Sequence, residues 1–351
     1  TSVPYSGSDA NDDLTMRYID IDNDNSTFSS SKATLTIPDV ACSHIVYAGL
    51  YWSATYRYNN SNSGSGRAAD LNVVKLKLPG AAAYTTVTGS VIFDGFFNPT
   101  FNSNSPYACY ANITTQLQGL ANHNGEYTIA NVRATQADLD AGASGGWTIF
   151  IVYENPEMPG RYITSYDGFA AVNQGVGSVD INYNGFITVP APMPVYAKLA
   201  VSALEGDKQI TGDQLRFKAA SMPTFSNLSN TLNPNTNFFN STITTLNAAG
   251  TPVANTARVP NSSNTLGWDA DIVSINSGVI PNSETAATLR LMSNQDQYYL
   301  FFNALQVDII EPQVRIIKKV QDIAGNDITG QDVTLGNVLD YVLTFQNIGN
   351  D

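Results

Sequence analysis

The chain has 351 residues, of which 13% are charged, and carries a net charge of -13 with a pI near 4.4. That balance excludes a nucleic-acid surface, which needs clustered Lys and Arg, and it excludes docking on anionic lipid. No apolar run approaches the roughly 18 residues that span a bilayer as a helix, so direct membrane insertion is not expected, and the length suits two or three domains.

From the N-terminus onward the chain reads as strands. No signal peptide opens it at Thr1, so the expectation is a mature secreted protein whose leader has been removed, the other reading being a cytosolic start with Met trimmed. Runs rich in Val, Ile, Thr, Tyr and Phe at 33–37, 45–53, 71–78, 127–132, 147–153, 179–187, 198–204, 215–219, 287–292 and 298–310 alternate with turns rich in Gly, Asn, Ser and Pro. Helical periodicity is confined to 113–120 and 135–140, a turn or two each. The predicted fold class is all-β, built as tandem β-sandwich domains of jelly-roll or Ig-like type.

A Pro-rich run, Val189-Pro190-Ala191-Pro192-Met193-Pro194, cannot donate to a ladder and marks a linker or a crossover between sheets. With Glu311-Pro312 it predicts an N-terminal sandwich over 1–188 and a second over 195–312. Residues 110–153 and 268–309 echo each other weakly as edge, connection, strand and aromatic-rich strand, an echo that duplication or chance would produce equally. The segment 313–351 alternates Val314, Ile316 and Val320, then Val338, Tyr341, Leu343 and Phe345, before the turn Asn347-Ile348-Gly349-Asn350. A sandwich needs about seven strands, so this is expected to be the start of an incomplete Ig-like repeat. Its open edges invite a strand-complementing chain.

Chemistry-bearing residues are sparse. His44 and His123 neighbour no Ser or Cys signature, and with two histidines in the chain a His-rich zinc site is excluded. Catalysis is therefore not expected, although acidic pairs that meet only in space are invisible to sequence. The run Asp20-Ile21-Asp22-Asn23-Asp24 offers alternating oxygens, so Asp20, Asp22 and Asp24 are candidate calcium ligands; the other reading is a polar turn. Cys42 and Cys109, an even pair in an extracellular chain, are candidates for one disulfide or for two thiols. Tyr56, Tyr58 and Arg67 in one loop, and Phe97, Phe101 and Tyr107 in another, are candidates to bind a glycan or surface ligand; anchoring of the loops into the core competes with that. Trp147 and Trp268 read as core or tight-turn residues.

Several stretches together resemble the N-terminal region of large Bacteroidota cell-surface adhesins, including those of gliding motility. They are Ala48-Gly49-Leu50-Tyr51-Trp52-Ser53, Gly146 to Pro156, Tyr166-Asp167-Gly168-Phe169, Glu205-Gly206-Asp207 with Gly212-Asp213, and Gly267-Trp268-Asp269-Ala270-Asp271. Ile317-Lys318-Lys319-Val320 and 335–341 are similar to the openings of the Ig-like repeats that follow in such proteins. The resemblance implies display on the bacterial cell surface, export by the type IX system, further repeats in the same polypeptide and an adhesive or capping role. A surface-filament subunit is the alternative, with a secreted carbohydrate-active enzyme behind it.

Overall fold

Two β-sandwiches with the same strand order account for the alternation in the sequence. The computed structural model describes residues 3–59, 65–139, 141–310 and 314–347. The first sandwich holds β1 (Ser30–Leu35), β2 (His44–Thr55), β3 (Val73–Lys77), β4 (Thr85–Thr88), β5 (Ser90–Asp94), β6 (Pro106–Asn112), β7 (Gly125–Ala130) and β8 (Gly145–Glu154). A short helix, α1 (Thr114–Gln118), occupies the segment expected to hold a helical turn, whereas the described part of 135–140 is loop. The second sandwich follows with β9 (Arg161–Val172), β10 (Ser178–Asn184), β11 (Ala197–Leu204), β12 (Asp213–Ala219), β13 (Ser226–Leu228), β14 (Ile243–Leu246), β15 (Pro252–Ala254), β16 (Arg258–Val259), β17 (Trp268–Ile275), β18 (Ala286–Ser293) and β19 (Tyr298–Asp308).

In the first sandwich β1-β7-β3-β4 faces β5-β6-β2-β8; in the second β10-β18-β12-β13 faces β14-β17-β11-β19. The two orders correspond strand for strand, and the weak echo between 110–153 and 268–309 falls on the matching strands β6, β7, β8 and β17, β18, β19. One difference is that β5 runs antiparallel to β6 while β14 runs parallel to β17. Beyond the shared set, β9 extends the second sandwich past β19, and β16 crosses over to pair with β1.

The sandwiches stack, so the sheets β5-β6-β2-β8 and β15-β14-β17-β11-β19-β9 are covered on both faces. Along β2, Leu50 and Trp52 point into the first core while Tyr51 points at the other sandwich. In β19, Leu300, Leu305 and Val307 serve the second core while Phe302 and Ala304 serve the seam. A bulge opposite β9 between Leu300 and Phe302 turns Phe301 and Phe302 to the same side. Burial on both faces is why these strands read as continuous apolar runs.

Aromatic rings weld the seam. Phe93 stacks on Phe169 with centroids 3.9 Å apart, Phe169 lies 5.2 Å from Tyr299, and Phe302 sits 4.7 Å from Tyr51 and 4.9 Å from Phe150. Such offset and tilted pairs each add about 0.5–1.5 kcal/mol beyond area burial.

The expected boundary at the Pro-rich run moves. β9 and β10 precede that run yet pair with β19 and β18, so the sandwiches divide in the connection 155–160. The run itself is a crossover: Val189 and Val195 are buried in the second core, and Asn282 Nδ2 donates to the carbonyls of Val189 and Met193 at 2.8 and 2.7 Å.

Beyond the block, β20 (Val314–Gln321) and β21 (Asp340–Asn347) form a two-stranded ribbon. Its register aligns Val314, Ile316, Val320, Tyr341, Leu343 and Phe345 on one face, of which all but Val320 are more than half exposed. An exposed Arg315–Glu157 ion pair of 2.7 Å ties it to the block. Ile348, Gly349 and Asn350 of the expected turn lie outside the described residues.

Candidate functional site

The loop residues singled out in the sequence are used mainly inward. Tyr56 and Tyr107 are wholly buried. The Arg67 guanidinium lies over the rings of Tyr56 and Phe96 at 5.0 and 4.9 Å and pairs with Asp94 at 2.7 Å. Tyr58 packs on Ala137, Leu139 and Ala143, and Phe101 joins the seam stack against Phe93, Phe169 and Tyr299. Phe97 alone of the six stays open to solvent, at 87% exposure. Rings in a polar loop lose more by staying wet than by anchoring the loop, so the core claims them.

The Asp20–Asp24 carboxylates are taken up by hydrogen bonds to their own loop, to the start of β1 and to the β3–β4 connection. Asp20 Oδ1 accepts from Ser30 Oγ at 2.6 Å, Asp22 accepts from the Tyr84 hydroxyl, and Asp24 Oδ1 accepts from the Ser26 amide at 2.8 Å. Among the described residues no three His, Cys, Asp or Glu side chains surround one point at ligand distance. The expected calcium loop is thus a hydrogen-bonded polar turn in this structure. Cys42 and Cys109 are free thiols rather than a disulfide, Cys42 exposed ahead of β2 and Cys109 buried in β6. Burial pushes the Cys109 thiol well above its usual range.

A cleft of about 690 Å³ opens between the sandwiches. β8 ends its sheet, pairing only with β2, and residues 145–150 form one wall. The facing wall comes from β11, β14 and β17 through Ala200, Ser202, Thr245, Trp268 and Ile272, and Phe150 and Phe302 reach it from the seam. Two contacts set its shape: Trp147 Nε1 donates to Ser31 Oγ at 2.7 Å, and Ser202 Oγ donates across the seam to Thr148 Oγ1 at 3.2 Å. Lys32, paired with Glu126 at 2.6 Å, and Arg258, spent on the carbonyls of Asn255, Pro260 and Ser262, stand among the lining residues. Burial draws the Arg258 guanidinium below its usual pKa.

Asp271 is the one carboxylate among the described lining residues, and its Oδ1 accepts from Thr244 Oγ1 at 2.7 Å. The pair of facing carboxylates that most glycoside hydrolases use is therefore not among the described lining residues. What the walls offer is aromatic surface beside hydroxyl donors and acceptors, a mixture suited to binding. Trp147 and Trp268 carry no local mark of this role. They line the cleft because strands more than a hundred residues apart in sequence face each other across the seam.

Gly146 holds the cleft open by omission. A Cβ there would lie 2.5 Å from Cδ2 of the Trp268 indole, closer than side chains pack. Gly146→Ala should push Trp268 off its seat and cost about 1–3 kcal/mol, the usual penalty for overpacking. Chemical denaturation together with Trp fluorescence would read both effects, and an unchanged spectrum and midpoint would contradict the packing described.

Comparison with known proteins adds no family. No family model matches the chain, and no curated protein matches it. Among solved structures it is similar to the major capsid protein P2 of bacteriophage PM2, at 12% identity over 80% of this chain and 97% of that one, TM-score 0.20. The VP2 subviral particle of infectious bursal disease virus matches at 12% identity over 80% of this chain and 71% of that one, TM-score 0.24. PNGase F, a glycosylasparaginase from Flavobacterium meningosepticum, matches at 13% identity over 84% and 93%, TM-score 0.22. Scores this low support no functional argument.

Proposed function

We propose that the chain is the adhesive head of a secreted bacterial cell-surface protein, binding a glycan or related surface ligand in the cleft between its sandwiches. The observation that carries this reading is the cleft itself: two sandwiches fixed by an aromatic seam hold apart walls that present the half-buried Trp147 and hydroxyl groups such as Thr245, with Trp268 buried behind them. Sugar rings present apolar C–H faces to aromatic side chains and hydroxyls to Ser and Thr. The role in this proposal is binding, carried by the aromatic and hydroxyl groups of the walls.

The ribbon supports the display part of the reading. One face of β20–β21 is apolar and uncovered, as expected of strands that continue into an Ig-like module of the same polypeptide. Export and gliding motility rest on the sequence resemblance.

The test uses glycan and surface-polymer arrays with the whole chain and with Thr245→Trp, which fills the cleft from a half-buried wall position. Binding by the native protein that weakens at least tenfold in the variant, with the melting temperature kept, is the expected result. Binding that ignores the substitution would remove the cleft from the proposal, and silence across the arrays would remove the glycan ligand.

A further inference from the structure

A second feature lies at one end of the second sandwich and meets the cleft through Asp271. Glu205, Asp207, Asp213, Asp269, Asp271 and Asp296 are all buried, none more than 7% exposed. None of the ion pairs formed among the described residues reaches any of them. Buried carboxylates are ordinarily paired, protonated or bound to metal.

Within this group the anchoring is one-sided. Asp213 Oδ2 accepts from the Phe239 amide at 2.5 Å, and Asp269 Oδ1 accepts from the Thr242 amide at 3.1 Å. Asp213 Oδ1 and Asp269 Oδ2 are buried without any hydrogen-bond partner. Between them in the chain's path stands Asn237, whose Nδ2 donates to the carbonyls of Asp207 and Lys208 at 3.1 and 3.0 Å. Those bonds fix the amide, and its Oδ1 is likewise buried and partnerless. Asp296 holds the Asp207 amide with Oδ2 at 3.1 Å, and both Asp213 and Asp296 lie within electrostatic reach of Asp269. Gly206 closes the group: a Cβ there would stand 2.6 Å from Asp269 Oδ2 and 2.4 Å from the Phe239 carbonyl. With Asp271 Oδ2, also buried without a partner, four orphan acceptors lie in a region to which no ion-paired side-chain cation contributes, which is the donor deficit that a bound ion removes.

We propose that Asp213 Oδ1, Asp269 Oδ2 and Asn237 Oδ1, with Asp296 adding negative charge, bind a hard divalent cation of the calcium class. All the candidate ligands are oxygens, and calcium takes six to eight oxygens at about 2.3–2.6 Å, whereas zinc sites are built mainly with His and Cys. The acidic side chains do not yet share a coordination point. Binding therefore turns the Asp213 and Asp269 carboxylates about the oxygens that backbone amides already hold. The ion ties the start of β12 and the β13–β14 connection to β17 and, through Asp296, to the β18–β19 turn, and so locks one end of the sandwich.

The test is thermal melting and calorimetric titration of the whole chain, first in chelator, then with calcium chloride, with magnesium and sodium chloride as comparators. Calcium should raise the melting temperature by several degrees and keep raising it with the logarithm of its concentration, as binding to the folded state alone requires. Asp269→Asn keeps the shape and removes one charge. It should melt above the native protein in chelator, because the cost of burying an acid that is ionised in the unfolded chain is gone, and should bind calcium at least tenfold more weakly. Asp22→Asn, in the N-terminal turn, should keep the full calcium response. An unchanged native melting temperature on adding calcium would overturn the proposal, as would an equal response to sodium or an Asp269→Asn protein that binds undiminished.

Discussion

Phe302→Ala should lower the unfolding free energy by about 3–5 kcal/mol, the usual cost of emptying a fully buried aromatic site. The residue is 1% exposed and sits between sandwiches, its ring 4.7 Å from Tyr51 of β2 and 4.9 Å from Phe150 of β8. A cavity here removes packing from the aromatic seam that joins the two sandwiches, so the effect goes beyond stability. The native block should unfold in one calorimetric transition, and the variant should split toward two, with faster proteolysis in the 155–160 connection. A loss below about 1 kcal/mol with one sharp transition retained would mean that the seam relaxes around the gap and does not couple the two halves.

The strands were legible in the sequence where burial on both faces made them continuous, as in β2 and β19, or where alternation was clean, as in β12 and β18. β9 escaped because Asp167-Gly168 interrupts its apolar pattern, close to the β19 bulge against which it pairs. Without β9 and β10 assigned to the second sandwich, the Pro-rich run looked like the boundary. The fate of the loop aromatics was not legible at all: composition does not say whether Tyr56 or Tyr107 turns inward, and only the ring contacts with Arg67 decide it.

The acidic cluster did leave a signal. In β12 Asp213 stands in phase with Leu215, Phe217 and Ala219, all buried. In β17 Asp269 and Asp271 stand in phase with Val273 and Ile275, again all buried. A carboxylate on the apolar side of a strand's alternation is a buried carboxylate, and the alternation itself is enough to mark it. Meeting Asn237 and Asp296 there depends on segments tens of residues away, and no local pattern announces them.

Glu205→Gln should change the pH dependence of stability more than any other single substitution at the seam. Glu205 leaves β11 with a positive φ of 72° and reaches from the second sandwich to the first. There its Oε1 accepts from Ser144 Oγ at 2.5 Å and from Asn11 Nδ2 at 3.1 Å. Burial pushes its pKa up to about 8; the Ser144 and Asn11 bonds act in the opposite direction, and the nearby Asp207 charge adds to the rise. The folded chain thus holds this proton more tightly than the unfolded chain, whose Glu titrates near 4.5. The stabilisation is whole below that value, declines as pH rises through the interval up to about 8, and is gone above it. A glutamine amide has no proton to lose and still presents an oxygen to Asn11 and Ser144. The two proteins should therefore agree within about 1 kcal/mol at pH 4, and the variant should be the more stable by about 2–4 kcal/mol near pH 9. Urea midpoints across that range measure the gap directly. Parallel curves would show that the carboxylate is already relieved of its burial at neutral pH, and that the contact with Ser144 and Asn11 is not the dry one described.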